Sequence, residues 1–108
     1  MKQVYEQHAE VCKTLANSKR LEIINLLRGG ELSVARLLFK TSLLKANLSQ
    51  HLSLMRAKGI IIARKKGLTV FYRLANPKII RACDLMREVL FEQMKEKGEA
   101  LKKWSRKT

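Results

Sequence analysis

Between positions 32 and 83 the chain contains no aspartate and no glutamate, yet that stretch holds eleven lysine and arginine residues. All nine carboxylates fall before it or after it, so charge is sorted along the sequence and not merely in excess. A basic stretch free of carboxylates is unsuited to cationic ligands and suits a polyanion. Each cation near a phosphate backbone releases condensed counterions, and each carboxylate there would repel it. Cysteine is scarce as well: Cys12 and Cys83 are the only two and have no CxxC spacing. That excludes a disulfide-stapled secreted scaffold and makes a reduced intracellular setting the expectation. No apolar run approaches the ~20 residues of a membrane span, and residues 1–10 lack the apolar stretch of a signal peptide, so no membrane partner and a cytoplasmic location are expected. Enzyme signatures are missing too. There is no phosphate-cradling glycine loop, no HExxH, and no Ser or Cys nucleophile paired with a positioned His and carboxylate, so catalysis is not expected.

What is present is a strongly basic but foldable chain. Twenty-three basic and nine acidic side chains give a formal net charge of +14 and a pI near 10.3, in 108 residues that are 46% hydrophobic. A disordered basic tail would have far fewer apolar residues. Residues 1–108 therefore read as one domain with a modest core, of a size often helped by oligomerisation.

Apolar period gives the elements. Val4, His8, Val11, Cys12 and Leu15 recur at three-to-four spacing and predict a first helix ending near Ala16 and Asn17. Ser18 is the expected cap of a second helix, with Leu21, Ile23, Ile24, Leu26 and Leu27 leading to a stop at Gly29 and Gly30. Ser33 opens a short third helix carrying Val34, Ala35, Leu37 and Leu38, and a fourth runs from about Leu44 to Lys58 before Gly59. That fourth helix has two polarities: Leu48, Leu52 and Met55 give it an inward stripe, while Lys45, Asn47, Ser49, Gln50, Ser53 and Arg56 fall largely on the other side. Residues 60–64 and 69–74, rich in β-branched and aromatic side chains, flank Lys65, Lys66, Gly67 and Leu68 and predict a β-hairpin with a basic tip. Asn76 and the single proline, Pro77, then start a long last helix with Ile79, Cys83, Met86, Leu90 and Met94 on one stripe. Beyond about Gly98 apolar content falls away except for Leu101 and Trp104, which predicts fraying.

This order is that of a mostly α, winged helix-turn-helix fold of about five helices, with a two-stranded wing between the fourth and last. In that geometry a recognition helix lays outward residues on base edges in the major groove, and the hairpin reaches the adjoining backbone or minor groove. Four segments carry a family resemblance: Leu15-Ala16-Asn17-Ser18-Lys19-Arg20-Leu21-Glu22-Ile23; Gly30-Glu31-Leu32-Ser33-Val34; Leu48-Ser49-Gln50-His51-Leu52 with Leu54, Arg56, Gly59 and Ile60; and Phe71-Tyr72-Arg73-Leu74. Together, in this order and spacing, they resemble the ArsR/SmtB family of bacterial and archaeal repressors over about residues 11–90.

The resemblance implies a homodimer that binds a double-stranded operator with inverted-repeat symmetry and leaves it when an inducer binds. It implies a dimer interface from the first and last helices, here Val4, Val11, Leu15, Ile79, Met86, Leu90 and Met94. It makes Lys45, Ala46, Asn47, Ser49, Gln50 and His51 the groove-facing set, joined by Arg56, with Arg64, Lys65, Lys66 and Thr69 on the wing. Asn47 and Gln50 are the best base readers, since a bidentate amide–adenine pair gives about 1–3 kcal/mol of discrimination. His51 suits a phosphate or structural role better, and Arg64, Lys65 and Lys66 suit phosphate contacts. One departure falls at the recognition helix, where Leu44 stands at the place of the family's Ser, Thr or Asp cap. Either Ser42 caps an earlier start or packing ties the helix end down.

The sensor is less legible. The family's Cys-x-Cys thiolate site corresponds here to Leu32-Ser33-Val34-Ala35, whose oxygens cannot replace soft ligands. Its other metal site needs a histidine after Pro77, and there is none. There remain His8 and Cys12, four apart on one helix face, and Cys83. Three readings stay open: a His, Cys, Cys metal site, within one subunit or shared between two; a thiol-reactive inducer site at Cys12 and Cys83; or two small buried hydrophobes beside an interface histidine. The runner-up function is a constitutive or architectural nucleic-acid-binding protein with no inducer.

Overall fold

Asn17 both separates and starts helices. In a computed structural model, which describes the backbone of residues 1–107 and the side chains of residues 1–99 with Lys102 and Trp104, α1 spans Lys2–Leu15 and α2 spans Ser18–Leu26. The cap of α2 is Asn17, one residue before the serine expected. Its backbone is extended, and its side-chain oxygen accepts from the amides of Lys19 at 3.0 Å and Arg20 at 3.1 Å. Asn and Ser cap about equally well, so position decides. The chain has already turned at Asn17, whose own amide donates to the Leu15 carbonyl at 2.8 Å.

A turn of 3-10 helix at Leu27–Gly29 follows α2, and Gly30 sits at φ 125°, a value that side-chain-bearing residues avoid. Strand β1, Leu32–Ser33, leads into α3, Val34–Thr41, whose cap is Ser33 as expected, accepting from the Arg36 amide at 3.2 Å. Helix α4 spans Lys45–Ala57, β2 spans Ile61–Lys66, β3 spans Thr69–Leu74 and α5 spans Lys78–Lys107. The sheet is antiparallel in the order β1, β3, β2, with Leu32 opposite Tyr72 and Lys66 opposite Thr69. The wing is therefore a three-stranded sheet and not a bare hairpin. A two-residue strand has no period by which to be recognised.

Asn76 caps α5 through the Lys78 amide at 2.9 Å, with Pro77 between them. The helix runs on past Gly98 to Lys107, where fraying was expected. Glu, Ala, Leu and Lys there all favour helix, and one glycine costs about 1 kcal/mol, too little to break it. Trp104 is exposed, and the Leu101 side chain lies outside the described residues.

The core joins Ile23, Ile24 and Leu27 from the α2 end, Leu37 from α3, Leu48, Leu52 and Met55 from α4, Ile60 and Ile61 at the sheet, and Ile80 and Cys83 from α5. Each large side chain buried there contributes about 1.5–3 kcal/mol. Polar contacts fasten α5 to this core. Arg28 donates to both Asp84 oxygens, at 2.6 and 3.0 Å, and Arg87 donates to one of them at 2.7 Å.

The Arg28 and Arg87 guanidiniums hold the Asp84 carboxyl down at about 2, against 3.8 for a free aspartate. A depressed folded-state pKa stabilises above the unfolded value and is lost as pH falls through the folded one. The stability difference between wild type and Asp84→Asn should thus be constant above about pH 5, shrink as pH falls toward 2 and be lost only below about pH 2. Urea unfolding followed by circular dichroism across that range measures it.

Candidate nucleic-acid interface

Three residues connect α3 to α4. Ser42 adopts a left-handed backbone (φ 56°, ψ 22°) and its amide donates to the Leu38 carbonyl at 3.0 Å, so Ser42 closes α3. Buried Thr41 steadies the turn: its hydroxyl donates to the Leu37 carbonyl at 2.7 Å and accepts from the Leu43 amide at 3.4 Å. Leu43 packs partly against the core, and Leu44 takes the cap position of α4 in extended backbone. It makes no side-chain cap bond and is 74% exposed. Ser42 does not cap an earlier start, since it closes the preceding helix; the end of α4 is held by packing, through Leu43 and buried Leu48, while Leu44 itself stays exposed. The first-turn amides of Lys45, Ala46 and Asn47 have no cap acceptor, an omission that costs about 1 kcal/mol.

Burial of Leu48, Leu52 and Met55 fixes the rotation of α4. At 3.6 residues per turn the opposite line is Ala46, Gln50 and Ser53, all exposed, with Asn47 on one flank and Ser49, Lys45 and Arg56 on the other. His51 lies at the edge, half-buried, with Nδ1 3.5 Å from Nη1 of Arg20. Arg20 Nε in turn donates to the Thr14 carbonyl at 2.5 Å. A guanidinium only donates, so a bond here requires the lone pair on Nδ1 and places the proton on Nε2. Burial first, and then the charge of Arg20, push the His51 pKa below its ordinary value. His51 thus ties α4 to α2 and α1, leaving one N–H for an outside acceptor. This tie spans 31 residues of sequence and has no local signal.

On the wing, Lys65, Lys66 and Thr69 are exposed, and Gly67 at φ 62° makes the two-residue turn with Leu68, which is 100% exposed at the tip. Arg64 also has a partner within the chain. It donates to both Glu31 oxygens, at 2.6 and 3.0 Å, and its guanidinium lies 5.1 Å from the centre of the Phe71 ring. The Glu31 carboxyl is held below its ordinary range, chiefly by Arg64. Arg64 anchors the wing to the segment before β1, and an exposed pair of this kind contributes position more than stability. Among the described residues Lys45, Arg56, Lys65 and Lys66 have no carboxylate in ion-pair reach. Both α4 and the wing thus present exposed cations that no described carboxylate engages.

The sensor candidates do not come together. His8 and Cys12 are exposed on α1, while Cys83 is 8% exposed in the core, where burial raises its thiol pKa. Among the described residues no three His, Cys, Asp or Glu side chains form a group able to hold a metal. The expected interface set divides. Val4, Met86, Leu90 and Met94 are exposed, and so are Tyr5, Leu85, Val89 and Phe91, which the helical stripe did not single out. Val11, Leu15 and Ile79 are half-buried against their own protomer's core and are not wholly free for a partner. No described helix is long and apolar enough to cross a membrane.

A helix-turn-helix whose second helix turns a carboxylate-free face outward beside a basic wing defines a winged helix-turn-helix transcriptional regulator. Residues 17–63 match the family model described as bacterial regulatory protein, arsR family. The chain is 36% identical over 77 residues to the transcriptional activator HlyU of Vibrio cholerae, covering 71% of each chain. It is 36% identical over 75 residues to the transcriptional repressor PagR of Bacillus anthracis, covering 68% of this chain and 75% of that one. Its structure is similar, with a TM-score of 0.79 and 30% identity over 88% of each chain, to the homodimeric winged helix-turn-helix DNA-binding domain Mb0332 of Mycobacterium bovis. The chain belongs to the arsR family of bacterial regulatory proteins.

Burial of Cys83 has a direct chemical consequence. In a Cys12→Ser variant the remaining thiol should react with Ellman's reagent only as fast as the protein unfolds, and immediately in denaturant. Rapid reaction of the native variant would show that Cys83 is accessible.

Proposed function

We propose that this arsR-family regulator is a homodimer that binds an inverted-repeat operator in the cytoplasm, represses from it, and is released by an inducer other than a metal on a Cys-x-Cys pair. It acts by binding and not by catalysis. The observation that carries the reading is the face of α4 and the wing: Ala46, Gln50 and Ser53 point outward on a helix locked in rotation, and exposed Lys45, Arg56, Lys65 and Lys66 have no ion pair among the described residues. Amides such as Gln50 and Asn47 read adenine edges, and the lysines supply affinity and salt dependence.

The exposed apolar side chains of α1 and α5 support pairing of two copies, as in the M. bovis relative. A soluble monomer seldom leaves so many large apolar groups uncovered on neighbouring elements. PagR supports the repressing sign. For the inducer, the absence of thiolates from residues 32–35 leaves Cys12 as the accessible soft group, either alone toward a thiol-reactive compound or with ligands from the second protomer toward a metal ion.

Footprinting tests the central claim, with protection expected over two half-sites about one helical turn apart. Uniform binding to all duplexes would instead mark an architectural protein. Lys65→Ala with Lys66→Ala should weaken binding to every sequence and lower the salt slope by about two per protomer, whereas Gln50→Ala should keep the slope and relax choice at particular base pairs. Leu90→Asp should yield a monomer by sedimentation, because pairing would bury opposed carboxylates. A variant that remains dimeric would place the interface elsewhere.

A further inference from the structure

Leu44 loses on two counts where it stands. It leaves the α4 amides uncapped, and it presents a branched aliphatic side chain to solvent, while adjacent Leu43 turns into the core. Serine at this position would mend both. Leu44 also sits at the end of the recognition helix that enters the major groove first, between exposed Lys40 and Lys45, and within the stretch that has no carboxylate. A surface so placed faces DNA, and an aliphatic group has nothing with which to read donors or acceptors. In the major groove the one base feature it can read is the 5-methyl group of thymine.

We propose that Leu44 is a specificity residue, packing against a thymine methyl in each half-site, so that the position of a helix cap is given over to a base contact. This rests on the operator-binding reading above. It also separates stability from recognition, because Leu44→Ser supplies the missing cap and removes the methyl contact at the same time.

The experiment first selects bound duplexes from a random pool with the wild-type protein, then replaces each thymine of the selected operator by deoxyuridine, which lacks only the methyl. At one symmetric pair of positions the replacement should weaken wild-type binding about fourfold per half-site, the equivalent of one methyl group left unburied. Leu44→Ser should bind the thymine operator weaker by the same factor and no longer distinguish deoxyuridine, while unfolding at a higher temperature than wild type. Leu44→Met should keep the discrimination. Indifference of the wild type to every deoxyuridine, or undiminished sensitivity in Leu44→Ser, overturns the assignment and leaves operator binding intact. A pool that yields no motif overturns operator specificity itself, and this assignment with it.

Discussion

Everything outward in this molecule is set by one inward contact, the packing of Leu48, Leu52 and Met55 against Ile23, Ile24 and the start of the sheet. A helix has one rotational degree of freedom about its axis, and three buried side chains on one stripe remove it. Gln50, Ala46 and Ser53 face solvent because their neighbours cannot. Arg20 adds a polar restraint to the same helix by bridging the Thr14 carbonyl and His51, which links α4 to α1 and α2.

Charge is arranged with similar economy. The carboxylates that flank the basic stretch in sequence fold back onto cations that hold the architecture: Glu10 on Lys58, Glu31 on Arg64, Asp84 on Arg28 and Arg87. Cations so engaged orient elements, while others, Lys45, Arg56, Lys65 and Lys66 among them, have no ion pair among the described residues and keep their charge available. Composition alone cannot sort the two groups. Arg64 and Lys65 are neighbours in sequence, yet one is bonded to Glu31 and the other has no ion pair among the described residues.

Much of the fold was legible because it depends on local period and caps. The inward stripe of α4, the Ser33 cap and the Asn76-Pro77 start of α5 each follow from residues within a few positions of one another. The wing turn is shorter than expected, because Lys65 and Lys66 pair within β2 and leave only Gly67 and Leu68 at the tip. The site was legible to the extent that outward means opposite to a buried stripe. What escaped was non-local or too short: the β1 strand, the Arg28 and Asp84 fastening across 56 residues, and the Arg64 and Glu31 pair across 33.

The amino-acid order alone was enough to place five helices and a wing, and to set a carboxylate-free surface toward a polyanion, since periodicity and charge sorting are properties of neighbouring residues. Only the folded chain could decide that Ser42 ends a helix while Leu44 stands uncapped and exposed, that Cys83 is buried while Cys12 is not, and that Arg64 is already engaged. Those outcomes depend on which distant groups arrive within bonding distance and on which side of a turn the backbone leaves each side chain. Packing resolves such matters, and spacing along the chain does not encode them.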